Sequence, residues 1–132
     1  MSYRLLIADD SKLLCSRLVE MLSPLKGLEI VCQAHTVPET ITAIHKIKPH
    51  AAILDIRMPG GTGIDVLNDL KKKKSSTKTI IFTNYPYPQY RKKCMECGAD
   101  YFFDKYTEFD KLKAMVEKLA NHHNKVPVPA PA

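Results

Sequence analysis

Five polar side chains stand out because each comes at or just after the end of a short apolar run. Asp9 and Asp10 follow Leu5-Leu6-Ile7-Ala8, Asp55 follows Ala51-Ala52-Ile53-Leu54, Thr83 follows Ile80-Ile81-Phe82, and Lys105 comes soon after Tyr101-Phe102-Phe103. Short apolar runs bounded by turn residues read as buried strands, and Pro59-Gly60 turns the chain soon after Asp55, so that carboxylate is delivered to a strand tip. Crevices beyond strand C-termini are where open α/β sheets bind ligands. Three carboxylates gathered there repel one another unless a cation sits among them. An incomplete cage of hard oxygens suits Mg2+, which keeps some waters and takes other oxygens from phosphate. A carboxylate within reach of Mg2+ and a lysine can attack phosphorus, because the two cations offset charge on the transferring oxygens. Lys105 would supply the point charge and Thr83 a hydroxyl donor. Singly, Asp10 or Ser11 reads as a helix cap, Thr83 as a strand end and Lys105 as a surface charge. All five at one end of a sheet mark Asp55 as a candidate phosphoryl acceptor.

The elements that must position these groups alternate along the chain. Strands are expected over Tyr3–Ala8, Leu28–Ala34, Ala51–Asp55, Thr79–Thr83 and Ala99–Phe103, their apolar runs fitting parallel strands covered on both faces. Between them apolar residues recur at helical spacing: Leu14, Leu18, Met21 and Leu22; Ile41, Ile44 and Ile47; Ile64, Leu67 and Leu70. Thr36-x-x-Glu39 reads as a capping box with Pro38 in the first turn. Gly60, Gly61 and Gly63 suggest a flexible loop, and Gly98 a C-terminal cap for a short fourth helix. A fifth helix opens near Thr107 and turns Phe109, Leu112, Met115, Val116 and Leu119 inward. Five strands alternating with five helices predict an α/β doubly wound sheet, all parallel, in three layers. The domain is expected over 1–123, with 124–132 an extended tail because Pro127, Pro129 and Pro131 bar helix and central strand.

The chain of 132 residues, 45% hydrophobic and 26% charged, has the balance of one domain with a single core. Without a long apolar run or a basic-then-apolar N-terminus, no membrane span or secretory signal is expected, and the location expected is cytoplasmic. Cys15, Cys32, Cys94 and Cys97 read as thiols, with Cys94-x-x-Cys97 placed on a helix by its spacing. The net charge of +6 and the block Lys71–Lys74 raise the question of nucleic acid. Cations are favoured at a helix C-terminus and no groove-reading pattern accompanies them, so no nucleic-acid partner is expected.

Asp9-Asp10, Asp55-Ile56-Arg57-Met58-Pro59-Gly60, Thr83 and Gly98-Ala99-Asp100 with Lys105 together resemble the receiver domain of two-component response regulators, from about Tyr3 to His122. The resemblance implies a flavodoxin-like (βα)5 fold with strand order 2-1-3-4-5. It implies that Asp55 accepts a phosphoryl group from a sensor histidine kinase or a histidine phosphotransfer protein. Asp10, Asp55 and the backbone carbonyl of Arg57 would ligate Mg2+, with Asp9 acting through water, while Thr83 and Lys105 would hold phosphoryl oxygens. Its switch would couple Thr83 to Phe102, the ring turning inward as Thr83 moves, and so reshape the surface of the fourth helix, fifth strand and fifth helix. Such a protein catalyses only its own phosphorylation and dephosphorylation.

Three residues depart from the family pattern. Asn84 replaces a small residue after Thr83, Tyr106 replaces the proline after the lysine, and Phe102 lacks the phenol of the commoner tyrosine. Arg57, Asn84 and Tyr85 flank the expected phosphate, and the bulk of Arg57 and Tyr85 predicts slow self-dephosphorylation. An alternative is a degenerate receiver used only for docking, which the intact acidic and basic positions oppose. A phosphohydrolase of the haloacid dehalogenase type needs an aspartate two residues after the nucleophile, and Arg57 stands there. A stand-alone regulator is expected, without a DNA-binding module after the last helix, its output read by an unknown protein target. Tyr85 to Tyr90 form a candidate partner surface.

Overall fold

A computed structural model describes residues 2–125. In chain order it runs β1 (Tyr3–Ala8), α1 (Lys12–Leu22), β2 (Leu28–Ala34), α2 (Val37–Ile47), β3 (Ala51–Leu54), β4 (Arg57–Met58), β5 (Gly61–Thr62), α3 (Gly63–Lys72), β6 (Lys78–Thr83), α4 (Pro88–Glu96), β7 (Tyr101–Asp104) and α5 (Phe109–Lys125). The main sheet has the order β2-β1-β3-β6-β7, every pair parallel. Counting only its own strands, that is the expected 2-1-3-4-5 order.

The sheet separates two apolar layers. On one face Cys15, Leu18 and Leu22 of α1 and Leu112, Val116 and Ala120 of α5 pack on Leu5, Ile7, Ile53, Ile80 and Phe82. On the other, Ile44 of α2, Val66, Leu67 and Leu70 of α3 and Cys94 of α4 pack on Leu6, Ala8, Ala52, Leu54 and Ile81. Alternate residues of each central strand therefore go to opposite layers, so β1, β3 and β6 are apolar nearly throughout. No described helix is long and apolar enough to cross a membrane.

The loop expected to be flexible after Asp55 is instead a small antiparallel ladder, Arg57 opposite Thr62 and Met58 opposite Gly61. It is followed at once by a capping box, in which the Thr62 hydroxyl accepts the Asp65 N–H and the Asp65 carboxylate accepts the Thr62 N–H. The last strand is displaced by one or two residues from its expected span. The last helix starts at Phe109 rather than Thr107, because Glu108 first turns back to accept the Asp104 N–H at 2.9 Å. It continues through Asn124 and Lys125, two residues that the expected tail had included; the remainder of that tail, 126–132, lies outside the described residues.

Both lysines at the ends of α2 and α3, Lys48 and Lys74, have left-handed backbone, φ 53° and 54°. The guanidinium of Arg4 donates to the carbonyls of Ile47 at 2.6 Å and Lys48 at 3.1 Å. It thereby satisfies acceptors that the end of α2 leaves without helical partners.

Candidate functional site

At the C-terminal rim of the sheet the backbone ladder continues one residue past the strands. The Asp9 N–H reaches the Ala34 carbonyl at 3.0 Å, the Asp55 N–H the Ala8 carbonyl at 3.1 Å, and the Lys105 N–H the Thr83 carbonyl at 2.9 Å. Main-chain bonds thus fix where each of these side chains leaves the sheet. Rigid elements hold them, not loops.

The Lys105 ammonium donates to both buried aspartates, to Asp9 Oδ2 at 2.5 Å and to Asp55 Oδ2 at 2.8 Å. The other oxygens accept backbone N–H groups, Asp9 Oδ1 from Ser11 at 2.9 Å and Asp55 Oδ1 from Ile56 at 2.7 Å. Asp10 is exposed, and one oxygen from each of Asp9, Asp10 and Asp55 lies within 4.8 Å of the others. Three carboxylates and one ammonium carry a formal charge of 1 − 3 = −2, the charge a divalent cation balances. The donors are all oxygen, and one ligand side stays open to solvent through Asp10, which is the donor chemistry Mg2+ takes.

Burial pushes the Asp9 carboxyl up to about 6, against the pull of the Lys105 and Ser11 hydrogen bonds. Burial also opposes the charge on Lys105, yet the Asp55 charge and the hydrogen bonds to Asp55 and Asp9 outweigh it, and the ammonium sits above its ordinary range. Lys105 is thus cationic at neutral pH.

Thr83 is fully buried at the tip of β6, and its hydroxyl accepts the Tyr85 N–H at 3.1 Å. Its own hydrogen is left for another acceptor. The Arg57 guanidinium lies over the Tyr85 ring, 4.4 Å from the centroid. Asn84 is exposed and shares a cleft of about 290 Å³ with Lys105, Leu13 and Tyr106. Phe102 lies on the α4 side with its ring buried and the Arg91 guanidinium 5.0 Å over it. The bond between Lys105 and Tyr106, where the family pattern has a proline, is trans like every other described peptide bond. Cys94 and Cys97 lie buried under α4, and burial followed by the neighbouring Cys97 pushes the Cys94 thiol up to about 11.

Two contributors escaped the sequence reading. A Cβ on Gly63 would collide with the Asp55 carbonyl oxygen, so only glycine lets α3 start so close to the acidic loop. The Gly63 N–H holds the Ile56 carbonyl at 2.7 Å. His35 lies against the Asp9 carbonyl, Nδ1 at 2.9 Å, and since a carbonyl only accepts, the proton is on Nδ1. The capping pattern Thr62-x-x-Asp65 was the available signal for the start of α3; nothing local signalled His35.

The comparisons with known proteins identify the family and the fold. The family model of the response regulator receiver domain matches residues 5–117. The uncharacterized transcriptional regulatory protein YvfU of Bacillus subtilis is 33% identical over 115 residues, 87% of this chain and 58% of the relative. The chain therefore spans little more than half of that protein. A DNA-binding response regulator of the LuxR family from Staphylococcus aureus superposes with a TM-score of 0.83 at 29% identity, over 90% of this chain and 99% of the other. A CheY-like receiver domain protein from Methanospirillum hungatei shares the fold, TM-score 0.81 at 23% identity over 96% of this chain and 100% of the other. With an acidic rim closed by one lysine and a family match over most of its length, the chain belongs to the response regulator receiver domains of two-component signalling.

Proposed function

We propose that Asp55 is the phosphoryl acceptor, and that the donor is a phosphohistidine on a sensor histidine kinase or a histidine phosphotransfer protein. An Asp55 oxygen forms the bond to phosphorus while the phosphorus–nitrogen bond breaks, its electron pair leaving on the imidazole. The product is an acyl phosphate. The observation that carries this reading is the Lys105 ammonium, bonded to Asp55 at 2.8 Å beside the three-carboxylate group.

Asp10, Asp55 and the Arg57 carbonyl would hold Mg2+, with Asp9 acting through water; when bound, the ion offsets charge on the transferring oxygens. Lys105 holds the acceptor carboxylate in place and is positioned to turn to a phosphoryl oxygen. Thr83 has a hydroxyl hydrogen to give to another. If that hydroxyl swings toward the phosphoryl group, the Tyr85 N–H loses its acceptor and the segment after β6 is released. The Phe102 ring is already buried, so this switch rests on movement of the Thr83 hydroxyl. The altered α4-β7-α5 surface is then read by a protein partner. The chain acts as a phosphoacceptor and catalyses only its own loading and unloading.

Intact-mass measurement after incubation with acetyl phosphate and Mg2+ tests this directly. Wild type gains one phosphoryl mass and Asp55→Asn gains none. A gain that persists in the variant assigns the acceptor elsewhere.

A further inference from the structure

At the opposite rim of the sheet from Asp55, the ends of α2 and α3 and the start of β6 enclose a cleft of about 270 Å³ lined by Lys48, Lys73, Lys74, Ser75 and Ser76, with His45 in its wall. Lys73 and His45 are both tied to Asp69, at 3.4 and 2.5 Å. Lys48 and Lys74 have no carboxylate within ion-pair distance among the described residues.

These two free lysines are also the only described residues other than glycine with positive φ. The left-handed conformation costs a residue with a Cβ about 1 kcal/mol or more, and glycine or asparagine is the usual occupant of a helix end of this kind. Backbone strain retained at two positions, both in the lining of one cleft, is a pattern associated with ligand sites.

Several carbonyls at the two helix ends already accept hydrogen bonds, and the lysines there offset the negative end of each helix dipole. The last carbonyls of α2, Ile47 and Lys48, are covered by the Arg4 guanidinium. At the end of α3, three carbonyls accept backbone N–H groups, Asp69 from Lys73, Leu70 from Ser75 and Lys71 from Lys74. The Ser76 side chain is exposed, with no hydrogen-bond partner among the described residues.

We propose that this cleft binds a diphosphate-bearing anion, its charge met by Lys48 and Lys74 and its oxygens by the Ser76 hydroxyl. Charge-assisted hydrogen bonds from two ammonium groups suit such oxygens. The site is independent of Asp55, with the whole length of the sheet between them.

The test is an amide NMR titration of the full chain with sodium pyrophosphate, without divalent cations and at low salt. Saturable shifts centred on residues 44–48 and 73–77 are expected. Lys48→Gly/Lys74→Gly should weaken binding at least about tenfold, the worth of roughly one charged hydrogen bond, with a thermal midpoint no lower than wild type because glycine takes the left-handed backbone without strain. Lys48→Arg/Lys74→Arg should retain binding. A parallel titration with ADP assigns the source: binding as tight as pyrophosphate or tighter indicates a nucleotide, and weaker binding the inorganic anion. Shifts that do not saturate, that centre on Thr83 and Lys105, or that are unchanged in the glycine variant overturn the proposal.

Discussion

The guanidinium of Arg57, on β4, rests on the ring of Tyr85, just beyond β6, with 4.4 Å between the charge and the ring centroid. The two loops that border Asp55 on this side are thereby joined. If this pair shields an acyl phosphate from water, opening it should shorten the phosphoryl lifetime. An exposed cation–π pair is worth about 0.5–1 kcal/mol, which converts to roughly a two- to five-fold faster loss in Arg57→Ala/Tyr85→Ala. Decay of the phosphorylated mass after donor removal measures it. A lifetime equal to wild type would show that the pair does not guard the site.

Replacing Lys105 by methionine should leave Asp9 and Asp55 buried without their shared cation. Stability measured by urea denaturation without divalent ions is expected to fall by about 3–5 kcal/mol. Added Mg2+ should recover part of the loss, since a ligand of the folded state alone stabilises it by mass action. No recovery with Mg2+ would place the ion away from these carboxylates.

Gly63→Ala is expected to act on both folding and chemistry. The new methyl group meets the Asp55 main-chain oxygen rather than a flexible side chain, so relief requires a backbone shift at the acceptor. The cost of such overpacking is about 1–3 kcal/mol. Acetyl phosphate loading should slow alongside the lower denaturation midpoint; a variant that is destabilised but loads at the wild-type rate would show that the shift spares Asp55.

His50 predicts a stability difference with pH. Its Nδ1 accepts the Arg4 N–H at 2.9 Å, and its ring lies 5.2 Å from Tyr3 and 4.4 Å from His123. Burial, then His123 and Arg4, hold its pKa below 6.5. The folded state resists a proton that the unfolded chain accepts, so the contribution of His50 is complete above pH 6.5 and is lost as pH falls through its lowered folded value. Asp9 runs the other way: its raised carboxyl favours the folded state below 3.8, an advantage lost as pH rises through about 6. Comparing wild type with His50→Asn, whose amide oxygen can still accept the Arg4 N–H, cancels that opposing trend. Between about pH 7.5 and about pH 5.5 the wild type should lose more stability than the variant. Parallel curves would remove His50 from the balance.

Strand and helix order was legible because parallel strands covered on both sides leave nearly unbroken apolar runs, and because Asp9, Asp55 and Thr83 punctuate their ends. The same logic placed the acidic corner and Lys105 on one rim. What patterning could not show is which partner each group takes. That one ammonium bridges Asp9 and Asp55, or that Arg57 and Tyr85 meet, depends on approaches between segments far apart in the chain. The β4-β5 ladder is too short to carry a period, and the late start of α5 depends on Glu108 reaching back to Asp104. Gly63 looked like loop glycine because the clash it avoids is with a carbonyl eight residues earlier.

The lysines that crowd the ends of α2 and α3 lie at the other end of the strands from the group Asp9, Asp10, Asp55 and Lys105, whose formal charge is −2. The molecule is therefore electrically polarised along its strands, and a charged partner exerts a torque on it before the two touch. A kinase or phosphotransfer surface with a cationic border would turn the acidic end toward itself during approach, and added salt would slow that capture more than it weakened the docked pair.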